Sequence, residues 1–256
     1  MLDRLQRRID WGRTLIAEKL GNSYKLNYLN QGLLNFIDVG SIGGLPPPWR
    51  SNAKFVKFLL NFDPFDPVSR TANSLTYDTA VWDEDTTLPF YVYKGFQQTG
   101  SSLFVQNAEY VRENFEMLRQ RGDPRLADTW FERSALVKTL EIKCRRLDGL
   151  LSEVLPEVPF HFMKIDAQGA EFRILKGAEA MLSRSCLGLH LELFSLPLYE
   201  GIVLQEEVAA HLARFGFELV KKFPPHGSFE SQNDCLFLKA GANTELLKIV
   251  RDVYAI

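Results

Sequence analysis

The stretch from Asn35 to Gly44 constrains the fold of this chain more than any other. It is an apolar run that carries Asp38 near its end and then breaks into a turn with glycines at 40, 43 and 44. In α/β proteins the first strand of a parallel sheet ends in such a turn, because glycine lets the backbone approach a ligand closely. The spacing is D-x-G-x-x-G rather than the G-x-G-x-x-G of dinucleotide-binding loops. A tight turn without a ligand is the alternative interpretation.

Composition narrows the class of protein. The chain has 256 residues, is 46% hydrophobic and has a formal net charge of −2. This fits one large domain, or one domain with a short N-terminal extension, and gives no reason to expect nucleic acid as a partner. We find neither a signal peptide nor an apolar run of membrane-spanning length. The three cysteines are far apart, which argues against a disulfide framework or a zinc site and favours a cytoplasmic protein.

The hydrophobic pattern divides the chain into two parts. Near the N-terminus, apolar residues recur near helical spacing among many charged residues: Leu2, Leu5, Ile9, Ile16 and Leu20. We therefore expect residues 1–32 to be an amphipathic helical extension, which packs on the main domain or forms a homodimer contact. From Leu33 onward, short apolar runs alternate with longer amphipathic segments. This pattern predicts a single α/β domain over 33–256, with a mostly parallel central sheet and helices on both faces.

The same pattern gives the individual elements. Strands are predicted at 34–39, 55–62, 75–82, 136–143, 160–165, 187–194, 217–223 and 234–239. Helices are predicted near 49–54, 107–121, 169–183 and 204–215. Residues 86–105 do not fit a simple unit, because 90–93 predicts an extra strand before a long polar loop of the kind that is often functional. Segment 120–135 is polar and is predicted to be a surface excursion.

A second motif follows the glycine turn. The apolar run that ends at Phe62 leads into Asp63, about twenty positions after the turn, where nucleotide-binding folds hold a ribose diol. A carboxylate accepts hydrogen bonds from both hydroxyls of a diol. Asp63 is therefore the predicted ribose ligand, with Asp66 as the reserve. A solvated turn containing Pro64 and Pro67 is the alternative.

Two further strands end in candidate catalytic groups. Asp166 lies at the carboxyl end of an apolar strand, where ligands bind in open α/β sheets. Glu171 follows in the first turn of a helix, and the helix dipole alone explains a carboxylate there. In the alternating strand 187–194, His190 and Glu192 share one face. We predict Asp166, His190 and Glu192 as catalytic residues. A satisfied buried pair against a neighbouring helix is the alternative for the last two.

Taken together, these segments resemble the FkbM family of methyltransferases over roughly residues 33–240. The motifs that carry the resemblance are 36–44, 62–64, 80–83, 100–103, 147–148, 164–171 with 175–177, and 190–192 with 198–201. The resemblance implies a Rossmann-like class I methyltransferase fold with an antiparallel C-terminal edge strand. It also implies S-adenosylmethionine as donor, S-adenosylhomocysteine as product, and O-methylation of a hydroxyl on a small molecule or glycan, often a sugar or a polyketide.

The resemblance assigns roles around the cofactor. The methionine part is expected at Asp38, Gly40, Ser41 and Gly43, the ribose at Asp63, and the adenine at Ala80, Val81 and Asp83. The chain departs from the family in three places. Prolines 46–48 follow the glycine turn where the family starts a helix, and Asp-Pro stands at 63–64 where Glu-Pro is more usual. Gln168 stands where many relatives have Glu, so we assign it no chemical role.

The expected chemistry is an in-line displacement, in which the enzyme mainly positions donor and acceptor. A general base would activate the hydroxyl, and His190 is favoured over Asp166 and Glu192 by its intrinsic pKa. A divalent cation held by these two carboxylates is possible but not expected. Two other classes stay open. An NAD-dependent oxidoreductase is disfavoured by the missing third glycine, and a catalytically degenerate scaffold would use the N-terminal helix for docking.

Overall fold

A computed structural model describes residues 32–40, 44–96, 99–242 and 244–256. The predicted N-terminal helix, with its proposed dimer contact, lies outside these ranges. So do two of the predicted cofactor ligands, Ser41 and Gly43.

The described part of the chain alternates between strands and helices. The strands are β1 (Leu34–Val39), β2 (Val56–Phe62), β3 (Ser69–Arg70), β4 (Ser74–Tyr77), β5 (Ala80–Trp82), β6 (Thr86–Tyr93), β7 (Leu136–Arg146), β8 (Phe162–Ile165), β9 (Gly188–Phe194), β10 (Phe217–Lys222) and β11 (Gln232–Lys239). The α-helices are α1 (Ala108–Glu113), α2 (Phe115–Leu118), α3 (Pro124–Asp128), α4 (Trp130–Arg133), α5 (Leu147–Val154), α6 (Glu171–Gly177), α7 (Glu179–Arg184), α8 (Gln205–Ala213) and α9 (Glu245–Tyr254). Two 3₁₀ helices span Trp49–Phe55 and Ser228–Glu230.

Eight strands form the central sheet, in the order β10-β11-β9-β8-β1-β2-β4-β3. The pairs β1–β2, β1–β8, β8–β9 and β2–β4 are parallel, which confirms the predicted mostly parallel sheet. The last strand, β11, is antiparallel to both of its neighbours.

The predicted position of this C-terminal strand at the sheet edge is wrong. β11 lies between β9 and β10, so β10 forms the edge. The reason is burial. Both faces of β11 are apolar and buried at Cys235, Leu236, Phe237 and Leu238, whereas most of β10 is at least partly exposed. A strand that is apolar on both faces is stable only inside a sheet.

A second sheet has the order β5-β7-β6. The single strand predicted at 75–82 is therefore wrong, because its two halves are β4 of the central sheet and β5 of the small one. The chain changes sheet at Thr79, whose hydroxyl donates to the carbonyl of Lys143 in β7 over 3.0 Å. The extra strand predicted at 90–93 is confirmed as the end of β6.

Both faces of the central sheet are covered by helices, as predicted. In β1, Ile37 and Val39 point into a core that α5, α6, α7 and α8 cover, and Leu34 and Phe36 point into a second core. The second core is covered by α9 and by the 3₁₀ helix Trp49–Phe55. No helix in the described ranges is both long and apolar enough to cross a bilayer.

Some helices differ from the prediction. The helix predicted at 107–121 is interrupted at Asn114, which separates α1 from α2. Segment 120–135 is more than a surface excursion, because it contains α3 and α4 and buries Ala127 and Trp130. Helices α5 and α9 were not predicted. The signal for α9 is present in the sequence, since the Thr244 side chain accepts from the N–H of Leu247 and caps the helix.

Candidate active site

An open cleft lies at the carboxyl ends of β1, β2, β8 and β9, and its other wall is formed by β6 and β7. Its volume is about 1480 Å³. A site for one small molecule usually has roughly 300–1,000 Å³, so the cleft has room for two ligands side by side. Six of the predicted site residues line it: Gly40, Asp63, Ala80, Val81, Asp166 and Glu192.

Gly40 begins the turn after β1, at a position that only glycine can occupy. Its φ is +77°, and an added Cβ would lie 1.9 Å from the backbone oxygen of Asp166. The N–H of Gly40 donates to the carbonyl of Phe62, and the N–H of Asp166 donates to that of Val39. The ends of β1, β2 and β8 are thus tied together at Gly40, which lines the cleft.

Asp63 lies at the end of β2 and closes the turn that follows. Its Oδ1 accepts from the N–H of Phe65 over 2.7 Å. Burial raises the pKa of Asp63 to about 6, although this hydrogen bond lowers it. Asp66 also lines the cleft. The carboxylate of Asp63 is therefore held in place by the backbone at the position where a diol is expected.

Asp38, two residues before Gly40 in β1, is buried and is not among the residues that line the cleft. It lies opposite Lys164 in the parallel pairing of β1 and β8. The Nζ of Lys164 is 3.8 Å from Oδ1 of Asp38 and 3.3 Å from Oδ2 of Asp166. Burial alone would lower the pKa of Lys164, but these two carboxylates raise it above its ordinary value. The lysine therefore stays charged and bridges the two strands.

Gln168 connects the two carboxylates at the floor of the cleft. Its Nε2 donates to Oε2 of Glu192 over 2.7 Å and to Oδ1 of Asp166 over 3.3 Å. Gln232 donates to the same Oε2 of Glu192 over 2.6 Å. Burial, together with the nearby charge of Asp166, raises the pKa of Glu192 well above its ordinary value. This network brings together two of the three predicted catalytic residues.

Gln168 and Gln232 belong to this network, although the sequence motifs do not predict either of them as a site residue. Gln168 was noted only as a replacement for glutamate. Its backbone has a φ of +50°, and the hydroxyl of Tyr199 donates to its side-chain oxygen over 3.3 Å. Tyr199 also lines the cleft.

Glu171 lies in the first turn of α6 and is buried. Its Oε1 accepts from the N–H of Ala167 over 2.9 Å, which holds the loop that presents Asp166. Burial raises the pKa of Glu171 to about 7. The side chain therefore supports the site from behind.

His190 is not part of the cleft. It is 8% exposed and lies on the same face of β9 as Glu192, two residues further from the strand end. Its Nδ1 is 2.8 Å from the hydroxyl of Tyr254, and its Nε2 is 3.1 Å from Oδ1 of Asp234. Both ring nitrogens are thus engaged between the sheet and α9, which is the satisfied buried arrangement weighed for this residue.

Asp83 is also outside the lining of the cleft. Its Oδ2 is 2.7 Å from Nη1 of Arg173 and 3.8 Å from Nζ of Lys176, so it joins the end of β5 to α6. Across the described ranges, no group of three His, Cys, Asp or Glu side chains is arranged to hold a metal ion.

Comparison with known proteins identifies the family. No curated protein matches the chain. Among solved structures, the chain is similar to methyltransferase FkbM from Methylobacillus flagellatus KT, with 12% identity and a TM-score of 0.43 over 80% of this chain and 43% of that one. The chain thus spans less than half the length of that protein. Residues 62–219 match the family model described as the methyltransferase FkbM domain. Since this match covers more than half of its residues, the chain belongs to the FkbM methyltransferase family.

Proposed function

We propose that this protein transfers a methyl group from S-adenosylmethionine to a hydroxyl of a small molecule or glycan, such as a sugar or a polyketide. Membership of the family implies the donor. A hydroxyl is the proposed acceptor because two carboxyl groups, Asp166 and Glu192, lie at the floor of a cleft with room for two ligands. When bound, S-adenosylmethionine supplies a methyl group on positively charged sulfur.

The residues present fit this cofactor. Gly40 lines the cleft and leaves its wall free of a side chain, because a Cβ there would collide with the backbone of Asp166, and Asp63 offers a fixed carboxylate for a diol. We propose that Gly40, Ser41 and Gly43 hold the methionine part, with Asp38 buried in the strand that precedes them. Ala80 and Val81 would flank the adenine. Asp83 would be a positioning residue, because it ties the end of β5 to α6 and so holds the strand that carries Ala80 and Val81.

We propose Asp166 as the general base. An alcohol is a weak nucleophile, so a carboxylate that takes its proton assists the transfer. The side chain of Asp166 is 37% exposed and faces the cleft, which leaves it accessible to an acceptor. Glu192, whose raised pKa favours the neutral form, would orient the hydroxyl by a hydrogen bond. His190 would position α9 rather than accept the proton, because both of its nitrogens are engaged.

A transfer assay tests this proposal. The purified protein is incubated with methyl-labelled donor and a fractionated pool of sugars and polyketides, and the product is treated with mild alkali, which cleaves methyl esters but leaves methyl ethers. We expect alkali-stable label in the wild type. Asp166→Asn should lower the rate about 100-fold or more, since general bases contribute on that order. Asp78→Asn, an exposed acid outside the cleft, is the control. Full activity of folded Asp166→Asn would refute the role of this residue.

A further inference from the structure

Two cationic side chains, Arg133 and Lys138, line the cleft on the wall opposite the glycine turn. Arg133 is the last residue of α4, and Lys138 lies near the start of β7. Both are half-buried. Within the ranges that the structure describes, neither forms an ion pair with a carboxylate, unlike Arg119, Arg145 and Arg173.

The guanidinium of Arg133 is fixed by neutral groups. Its Nη2 donates to the carbonyl of Leu126 over 2.6 Å and to the hydroxyl of Ser228 over 2.9 Å. Its Nε donates to the hydroxyl of Thr129 over 3.1 Å. Burial lowers the pKa of Arg133, and no acid in the described ranges offsets this effect. The group stays charged and its orientation is set before any ligand arrives.

Lys138 points to the same space because of its position in β7. From Lys138 to Cys144, every second residue of the strand is at least partly buried, and the residues between them are exposed. Lys138 pairs with Val92 of β6, which also lines the cleft. The lysine therefore lies on the inner face of the small sheet.

A short loop, residues 227–232, connects Arg133 to Glu192. Gln232 donates to Glu192, and a Cβ on Gly227 would lie 2.3 Å from Oε1 of Gln232. The next residue, Ser228, accepts from Arg133. The cleft thus has acidic groups at the proposed transfer point and cationic groups on the wall formed by α4 and β7.

We propose that the acceptor is a hydroxyl compound that also carries an oxyanion, a carboxylate or a phosphate, and that Arg133 and Lys138 bind this group. The inference rests on the proposed function. A charge taken out of water without a partner is unfavourable, and an anionic ligand supplies the missing partner. Arginine suits carboxylate and phosphate oxygens because its planar donors match their geometry.

The test is a set of calorimetric titrations of the full chain, saturated with S-adenosylhomocysteine. The probes are D-glucuronate, glucose 6-phosphate and, as the neutral reference, glucose. We expect one or both anions to bind at least about tenfold more tightly than glucose, as charge-assisted hydrogen bonds predict. The better anion identifies the oxyanion that the site prefers.

Variants assign the effect to the two cations. Lys138→Gln should remove most of the preference for the anion and leave the affinity for S-adenosylhomocysteine unchanged. Lys143→Gln, on the outer face of the same strand, is the matched control and should change neither. Arg133→Gln should also remove the preference for the anion. It also breaks three hydrogen bonds within the fold, so Lys138→Gln is the variant that tests the proposal.

The proposal is overturned if glucose binds as tightly as both anions, if none of the three probes binds at millimolar concentration, or if Lys138→Gln keeps the preference. It is also overturned if this variant loses affinity for S-adenosylhomocysteine, because the cations would then belong to the donor site. Failure of S-adenosylhomocysteine to bind the wild type would instead refute the proposed function.

Discussion

At the scale of single residues, the site combines a partly exposed acidic side chain with two buried ones whose pKa values are raised. Asp166 is partly exposed and accepts hydrogen bonds from Lys164 and Gln168. Glu192 and Glu171 are more deeply buried, and burial raises the pKa of both. A carboxyl group that keeps its proton is uncharged, so Glu192 and Glu171 can lie near another acid without charge repulsion.

Glu171 has a measurable effect on stability. Its pKa is 4.5 as an ordinary glutamate and about 7 in the fold. Between these values the folded chain keeps the proton and the unfolded chain loses it, so the free energy of unfolding falls as the pH rises. Relative to Glu171→Gln, the wild type should lose about 3 kcal/mol between pH 5 and pH 8. Urea unfolding of both proteins at the two pH values measures this change.

The glutamine variant is a close match, because its side-chain oxygen can still accept from the N–H of Ala167. If the free energies of unfolding of the two proteins differ by the same amount at both pH values, the raised pKa of Glu171 is contradicted.

At the scale of elements, the fold depends on close approaches between helices and strands. Gly177 ends α6 against β5, and a Cβ there would lie 2.0 Å from the backbone oxygen of Trp82. Gly149, in α5, has no atom within 4 Å of the corresponding position. The two glycines therefore respond differently to the same substitution.

Gly177→Ala should destabilise the fold by about 3 kcal/mol, because backbone atoms must move to admit the methyl group. Gly149→Ala should stabilise it by about 0.5–1 kcal/mol, since alanine is the better helix former. Chemical unfolding of both variants checks the pair. Equal effects of the two substitutions would show that α6 does not approach β5 as closely as described.

Helix α9 is held to the sheet by the hydroxyl of Tyr254. This hydroxyl accepts from Nε1 of Trp49 over 3.1 Å and is 2.8 Å from Nδ1 of His190. Tyr254→Phe removes this hydroxyl, so the buried side chains of Trp49 and His190 each lose a hydrogen-bond partner. The free energy of unfolding should fall by about 2–3 kcal/mol. Tyr110→Phe is the control, because in the described part of the chain Tyr110 hydrogen-bonds only through its backbone. A loss no larger than that of the control would contradict this role.

Elements of the central sheet were predictable from the sequence where the pattern was local. Strand β1 was predicted at its observed bounds, since its apolar run ends at a glycine turn. The break between β4 and β5 was not predictable, because it depends on a hydrogen bond from Thr79 to Lys143, 64 residues away. The interior position of β11 likewise depends on burial against both β9 and β10.

At the scale of the whole molecule, the cleft arises because two sheets meet. The carboxyl ends of parallel strands share one edge of a sheet, so motifs at 40, 63, 166 and 192 were predictable as neighbours. The wall formed by β6 and β7 adds further residues to the cleft, among them Lys138. These residues are not part of a recognisable sequence motif, so their place in the cleft was not predictable. His190 shares the pattern of Glu192, and only its contacts with Tyr254 and Asp234 show that it lies away from the cleft.

Calorimetric titration with S-adenosylhomocysteine tests whether this cleft holds the methyl donor. The wild type should bind. Asp63→Asn keeps an oxygen for the N–H of Phe65 but loses the charge, so its affinity should fall about tenfold or more. Asp66→Asn should bind nearly as the wild type does. No binding by the folded wild type, or equal affinity of Asp63→Asn, would contradict the account.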